Sequence, residues 1–347
     1  MPSTLSKIWN KAVREGDVNV FSWYKRRNRT HKLDSSLNEK NILHRPYPPW
    51  VIQVEVTNRC NLRCTNCSNS AAAAGGFTDI SPEFLHGILA QLPRETDISL
   101  NGIGEPFMHK GIFELFGAVE KRGHNLSFIT NGMLLDESNI RRLGDFKKLK
   151  YIGISLDGDS KELNESIRVG MRFEKVIENI IALRKALSVE IGIHFTAIRR
   201  NYKKFPGVIE LARGLGVAKV TAAGLFEWND DLKKESVSYS EFCRDVGSEE
   251  SLRERYPDMQ VTVVLAGRFE SRARPHCIQP YNFLFIDCIG NVLPCCQQTT
   301  PVIGKNIGNL NSKNLDEVWN SAEMTAFRSS MHEGKNPACA LCFLRGR

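Results

Sequence analysis

The apolar positions of this chain change period in a regular way. Between residues 50 and 222, short β-branched and apolar runs alternate with longer stretches of helical spacing. Val51 to Val56 reads as a buried strand. Asp97 to Leu100, Leu126 to Ile129, Tyr151 to Leu156, Val189 to Ile198 and Val217 to Ala222 read as five more. Between them Pro82 to Gln91, Ile112 to Lys121, Glu137 to Leu143, Phe173 to Leu187 and Phe205 to Leu215 follow the helical period. Ser81 before Pro82 fits an N-cap followed by proline in the first helical turn. Gly123 and Gly216 stand where helices should stop. Such alternation predicts an α/β fold with a parallel sheet covered by helices. Six repeats fit a partial (β/α)6 barrel, in which functional groups gather at the C-terminal ends of the strands.

The pattern differs at both ends. Leu5, Ile8, Trp9, Ala12 and Val13 recur near helical spacing, and Pro46, Pro48 and Pro49 then read as a linker, which sets off residues 1–47 as an N-terminal extension. The barrel is expected over 48–228. After it, 229–259 is charged and reads as a helical linker. Residues 260–347 hold two strand-like runs and short helices, a small α+β second domain. There is no internal repeat, and the Ala/Gly run from Ala71 to Gly76 is the one low-complexity tract.

Composition is that of an ordinary globular protein, 41% hydrophobic and 25% charged. No apolar run approaches the ~20 residues of a membrane helix, and the N-terminus lacks the apolar core of a signal peptide. A cytoplasmic location with no membrane partner is therefore expected. Net charge is +8, and residues 1–50, with ten Lys or Arg against four Asp or Glu, supply +6 of it. The run Lys25-Arg26-Arg27-Asn28-Arg29 suits an anionic partner; the plainer reading is a solvated extension, and no nucleic-acid partner is expected.

Ten cysteines in a cytoplasmic chain read as metal or redox groups rather than disulfides. Three lie in eight residues, Cys60, Cys64 and Cys67, spaced C-x3-C-x2-C just past the first strand. Three thiolates with no fourth ligand nearby suit an iron–sulfur cluster with one open iron. The alternative is a zinc site that borrows a distant histidine.

The stretch Val54-Glu55-Val56-Thr57-Asn58-Arg59-Cys60-Asn61-Leu62-Arg63-Cys64 resembles the radical S-adenosylmethionine (SAM) superfamily. The resemblance implies that Cys60, Cys64 and Cys67 hold a 4Fe–4S cluster whose fourth iron is chelated by SAM. In one respect the chain departs from the family: the residue before the last cysteine is usually aromatic and here is Asn66. Further motifs follow in family order. Asn101-Gly102-Ile103-Gly104-Glu105-Pro106 is similar to the glycine–glutamate motif that meets the SAM amino group, which assigns Gly104 and Glu105 to it. Thr130-Asn131-Gly132 resembles the ribose-facing turn, through Asn131. Ser155 and Asp157 end the fourth strand, and Arg168 lies eleven residues beyond Asp157; the family's matching serine and arginine bind the SAM carboxylate. Arginine suits that task because its planar fork can hold a carboxylate by two bonds. His194, in an apolar strand, reads as a core residue or pocket wall, and His109 and His124 carry no assigned role.

The last part of the chain resembles the auxiliary-cluster domains of the same family, SPASM in full form and twitch in short form. Cys277, Gly290, Cys295, Cys339 and Cys342 carry the likeness, with a hairpin turn at Ile289-Gly290-Asn291. Only five residues follow Cys342, too few for a second auxiliary cluster. Cys277, Cys295, Cys339 and Cys342 are thus expected to ligate one further 4Fe–4S cluster, with a four-cysteine zinc site as the alternative. Cys288 or Cys296 is the possible substitute for Cys295. Cys243 lies outside both sets.

The cofactors expected are therefore two 4Fe–4S clusters and SAM, with flavodoxin or ferredoxin as electron donor. The implied chemistry is hydrogen abstraction from an unactivated carbon by a 5′-deoxyadenosyl radical. The main expectation is a two-electron oxidation of a small polar substrate such as a sugar or aminocyclitol. The alternatives are an epimerase with Cys243 as hydrogen donor, a peptide-modifying maturase, and a non-catalytic iron–sulfur or zinc scaffold.

Overall fold

A computed structural model describes residues 48–68, 76–227, 229–267, 277, 279–296, 306–333 and 335–336. Seven strands of one sheet are β1 (Val51–Val54), β2 (Asp97–Leu100), β3 (Asn125–Thr130), β4 (Leu149–Ser155), β5 (Glu190–Ala197), β6 (Lys219–Gly224) and β7 (Gln260–Val264). They lie side by side in chain order and all pair in parallel. The helices between them are α1 (Pro82–Ala90), α2 (Ile112–Lys121), α3 (Glu137–Leu143), α4 (Lys161–Ile167), α5 (Phe173–Ala186) and α6 (Phe205–Gly214), followed by α7 (Asp230–Glu235), α8 (Tyr239–Asp245) and α9 (Glu249–Arg255). The C-terminal part adds α10 (Gln279–Asn282), β8 (Phe283–Ile286), β9 (Asn291–Leu293), β10 (Gly308–Asn309), α11 (Leu315–Trp319) and α12 (Ala322–His332).

All six expected strands form. Ser81 caps α1 by accepting from the Phe84 N–H, as its position before Pro82 suggested. Gly123 and Gly216 both take positive φ, which glycine adopts without a steric penalty.

The sheet extends beyond the expected barrel at both edges. β7 joins β6 in parallel, so the domain boundary expected at residue 260 cuts through the sheet. At the other edge β8 pairs in parallel with β1, and β9 and β10 follow antiparallel. The result is an open ten-stranded sheet, β10-β9-β8-β1-β2-β3-β4-β5-β6-β7. The stretch expected as a linker, 229–259, packs Phe242, Leu252 and Tyr256 into the main core. The basic extension 1–47 lies outside the described residues. Among those described, no helix is long and apolar enough to cross a membrane.

The two faces of the sheet differ in chemistry. Ile52, Ile98, Phe128, Ile152, Ile193, Val220 and Val261 point outward and are fully buried under the helices. Phe128 stacks on Phe116 of α2, with ring centroids 5.2 Å apart. Burying one such side chain stabilises the fold by about 1.5–3 kcal/mol, so this outer layer anchors the strands. The alternate positions face inward and are mostly polar: Gln53, Ser99, Ser127, Ser155, His194, Thr196 and Thr262 are only half-buried. Central strands that keep partial exposure on one face must border an open space.

The outer edge of β7 is closed by α9. Glu249 Oε2 accepts from the Val263 N–H at 2.6 Å, and Arg253 Nε donates to the Val261 carbonyl at 2.8 Å. The same two side chains pair at 2.8 Å. A helix thus fills the hydrogen-bonding role of an eighth strand at this edge. We expect Glu249→Ala to destabilise the protein by about 1–3 kcal/mol, the cost of one buried unpaired N–H, and Glu249→Gln by less because it keeps an acceptor. Urea unfolding of the two variants checks this; equal stability of Glu249→Ala and the parent would remove the edge cap from the account.

Candidate active site

The cysteine loop leaves the C-terminal end of β1, where a parallel sheet presents its functional groups. Thr57 and Asn58 tie its start to the segment before α1. Thr57 Oγ1 donates to Asp79 at 2.6 Å, and the Arg59 Nε donates to the same carboxylate at 3.1 Å. The far side of the loop docks on the end of α4: the Arg63 N–H donates to the Val169 carbonyl and the Thr65 N–H to the Ile167 carbonyl, each at 2.8 Å. These two bonds bracket Arg168 and bring it beside the thiols. Cys60, Cys64 and Cys67 are all half-buried, and the Leu62 N–H points at Cys60 Sγ from 3.5 Å. Burial pushes the Cys60 and Cys64 thiols up, and the nearby Arg168 guanidinium opposes it.

Arg168 is buried, with Nε 2.9 Å from Asp157 Oδ2. Asp157 has no solvent exposure. Its Oδ1 accepts from the Thr196 N–H of β5 at 2.7 Å, and its Oδ2 from Asn66 Nδ2 at 3.3 Å. Asn66, the departure from the family's aromatic, thus links the cysteine loop to the ion pair. Asp157 holds Arg168 and the loop in place. The Arg168 Nε–H is not aligned on Asp157 and has no hydrogen-bond acceptor, although it is buried.

Glu105 is fixed by both its backbone and its side chain. The Glu105 N–H donates to the Arg59 carbonyl at 2.7 Å, and a Cβ at Gly104 would stand 2.1 Å from the Thr57 carbonyl oxygen. Gly104 therefore lets two backbones touch. The Glu105 side chain is buried, and both oxygens are engaged by β3 and its turn. Oε1 accepts from Thr130 Oγ1 at 2.6 Å and Oε2 from the Asn131 N–H at 2.7 Å. Burial raises its carboxyl to about 7 despite those donors. It braces the Thr130–Gly132 turn. Asn131 Nδ2 donates to Asn61 Oδ1 at 2.8 Å and lies 4.0 Å from Cys60 Sγ. Ser155 ends β4, half-buried on the inner face beside His194 of β5.

Two residues with no assigned role belong to this region. Glu55 is buried, and it accepts from the Ile103 N–H at 2.7 Å and from the Cys288 N–H at 3.4 Å. It thereby joins the Gly102–Glu105 loop to the β8–β9 hairpin. A Cβ at Gly102 would collide with the Glu55 side chain at 2.4 Å. His194 was expected as a core residue or pocket wall; its Nε2 lies 2.8 Å from the Tyr151 hydroxyl, and burial, with Lys219 and Arg168 nearby, lowers its pKa to about 4. Its signal in the sequence was a polar residue on the inward half of an apolar strand.

The C-terminal cysteines divide. Cys277 is half-buried and Cys295 buried, while Cys339 and Cys342 lie outside the described residues. Cys296 packs against Phe283, Phe285 and Leu293, and Cys288 sits under Glu55. Gly290 takes φ +85° in the expected hairpin turn. Cys243 lies on α8, whose Phe242 packs on Phe205 in the helical layer outside the sheet.

The residues present fit the implied cofactors. The three thiols and Arg168 stand within electrostatic reach of one another, and a carboxylate would satisfy the orphaned Arg168 Nε–H. Among the described residues no three Cys, His, Asp or Glu side chains converge on a single ion. A lone zinc needs sulfurs about 3.8 Å apart, from bonds of about 2.3 Å, whereas a four-iron cluster is larger and spreads its thiolates. Residues 54–212 match the model of the radical SAM superfamily, and residues 277–343 match SPASM, an iron–sulfur cluster-binding domain.

The chain carries a radical SAM domain and, C-terminal to it, a SPASM domain. Its cofactors are accordingly a 4Fe–4S cluster with SAM in the core and auxiliary iron–sulfur in the C-terminal domain. Among its relatives, the AdoMet-dependent heme synthase of Methanosarcina barkeri is 25% identical over 85% of this chain and 88% of its own length. The PqqA peptide cyclase of Rhodopseudomonas palustris is 25% identical over 85% of this chain and 79% of its own. The fold is similar to that of Streptococcus suis SuiB, solved with its precursor peptide SuiA, at a TM-score of 0.68 and 18% identity over 93% of this chain and 82% of that one.

Two measurements probe the site. Removing one partner of a buried ion pair typically costs about 3–5 kcal/mol. Arg168→Met should therefore destabilise the protein by that order, while adding Asp157→Asn should cost less than the sum of the single changes. Additive losses in urea unfolding would mean that the pair is not coupled. For His194 the folded pKa, about 4, lies below the ordinary 6.5. Its contribution is complete above pH 6.5 and is lost as pH falls towards 4, because the unfolded chain takes up a proton that the folded chain refuses. The stability slope between pH 6.5 and 4 should be shallower in His194→Gln by up to about 1.4 kcal/mol per pH unit, the worth of one proton. Parallel slopes would contradict a neutral His194.

Proposed function

We propose that this chain is a radical SAM enzyme that modifies a peptide by removing a hydrogen atom from carbon. The observation that carries the proposal is the convergence of Cys60, Cys64 and Cys67 with the buried Arg168 at the rim of a polar inner face. When bound, the cluster and SAM supply one-electron cleavage of SAM and a species able to take hydrogen from an unactivated carbon. The protein's own residues hold the loop through Asp157 and Asn66, offer Arg168 to the SAM carboxylate, and shape a chamber that keeps bulk water away.

The relatives favour a peptide over the sugar or aminocyclitol expected first. PqqA peptide cyclases recur among them, with the subtilosin biosynthesis protein AlbA of Bacillus subtilis, 22% identical over 84% of this chain and 66% of its own length. A heme synthase is also a relative. Two-electron oxidation is the reaction we favour, with flavodoxin or ferredoxin as electron donor and Cys277, Cys295, Cys339 and Cys342 as ligands of the auxiliary cluster.

Anaerobic reconstitution should give about eight iron per chain, as two four-iron clusters imply. Changing Cys60, Cys64 and Cys67 together to alanine should remove about half of it and all release of 5′-deoxyadenosine. Coexpression with short peptides encoded beside the gene, followed by mass spectrometry, tests the substrate. A peptide lighter by two hydrogens supports oxidation, and an unchanged mass with inverted stereochemistry points to epimerisation. 5′-Deoxyadenosine released by the triple variant would overturn the assignment.

A further inference from the structure

The inner face of the sheet carries a polar rung of which only the first member, Ser155, is an expected cofactor contact. Ser155, His194, Thr221 and Thr262 stand in register on β4, β5, β6 and β7. Parallel strands lie about 4.8 Å apart, so the rung runs roughly 14 Å across the sheet. It starts at Ser155, the residue that the resemblance assigns to SAM, and ends at the last strand. The neighbours of these residues along each strand, Ile154, Ile193, Val220, Ala222, Val261 and Val263, are fully buried in the outer core, which fixes the rung on the inner face.

Three members of the rung are half-buried, but Thr221 is only 4% exposed, and its hydroxyl has no hydrogen-bond partner. A buried hydroxyl left unpaired costs about 1–3 kcal/mol. A ligand able to bond to it would recover that cost. The rung is also supported from below. A Cβ at Gly192 would stand 2.1 Å from the Tyr151 hydroxyl, and one at Gly153 would stand 2.7 Å from the His194 ring. Two adjacent glycines therefore make room for the Tyr151–His194 pair, whose 2.8 Å contact fixes the imidazole. Beneath, Lys219 pairs with Glu190 and lies 5.4 Å from the Tyr151 ring centroid.

We propose that His194, Thr221 and Thr262 form a binding subsite for an uncharged amide of the substrate. The charges around it are balanced: Lys219 by Glu190 and Arg168 by Asp157. A carboxylate or ammonium on this shelf would lose its hydration without gaining a counter-charge, whereas an amide exchanges water bonds for bonds to a hydroxyl and an imidazole. That the amide belongs to a peptide rests on the function proposed above; the subsite itself does not.

The test uses the anaerobically reconstituted holoenzyme and N-methylacetamide as the probe, with saturation-transfer NMR observing the probe's methyl signals. Saturable binding is expected, and Thr221→Val should weaken it about fivefold, the worth of one neutral hydrogen bond. Thr221→Ser, which keeps the hydroxyl, should bind as the parent does. Acetate and methylammonium should not compete. Should Thr221→Val fail to fold, Thr262→Val carries the same expectation. Equal binding by the Val and Ser variants, or equal competition by either ion, would overturn the subsite. If no peptide is modified but the amide binding and its loss in Thr221→Val persist, the subsite stands and the peptide reading falls. If a peptide is modified with a KM indifferent to Thr221→Val, the reverse holds.

Discussion

Three separate parts of the chain meet on one carboxylate that water does not reach. Asp157 receives the Thr196 N–H of β5, the Asn66 amide of the cysteine loop and the ionic contact of Arg168 at the end of α4. A buried carboxylate is tolerable only when such partners surround it. The arrangement therefore acts in both directions: the partners satisfy both oxygens of Asp157, and Asp157 sets where the loop and Arg168 must stand. The backbone bonds from Arg63 and Thr65 to the residues flanking Arg168 repeat the constraint through the main chain. A loop of three cysteines has no regular structure to hold it. Here its position comes from the sheet, through one anion.

Most of the frame was legible in the sequence because local chemistry decides it. Alternating apolar runs located β1 to β6, and Ser81, Gly123 and Gly216 marked helix ends through capping and backbone freedom that depend only on near neighbours. What was not legible depends on distant partners. The strand at Gln260 looks the same whether it belongs to a second domain or to the barrel, and only its pairing with β6 decides. β8 beside β1 is a contact between residues more than two hundred positions apart. In the site, the motif residues were found at the right end of the strands, but the aim of their side chains was not. Glu105 turns into β3 because Thr130 and Asn131 offer two donors there. Cys243 lies on α8 and Cys288 in the turn just past β8, places that their shared residue type does not reveal.

The contrast between the two faces of the sheet connects fold to chemistry. The outer face supplies the stabilisation, through Ile, Val and Phe packed under helices. That frees the inner face from the work of holding the fold, and it can carry hydroxyls, amides and an imidazole that no core would accept unpaired. Gly153 and Gly192 show the same division at single positions. A strand interior loses stability with glycine, and two are kept side by side where Tyr151 and His194 need the space.

Glu55 shows why the C-terminal part cannot be treated as an appendage. One oxygen takes the Ile103 N–H of the glycine-rich loop, and the other takes the Cys288 N–H of the β8–β9 hairpin. Burial raises the Glu55 carboxyl, and those N–H groups hold it down. Moving the hairpin away would leave a buried carboxylate short of a donor and would unload strain onto the loop that also carries Gly104 and Glu105. Gly102 closes the remaining freedom, since any side chain there would displace Glu55. The loop beside the cysteines and the hairpin that leads to Cys295 therefore share one acceptor and one sheet. Through them the glycine-rich loop and the β8–β9 hairpin are set relative to each other by hydrogen bonds to a single residue on β1's C-terminal side.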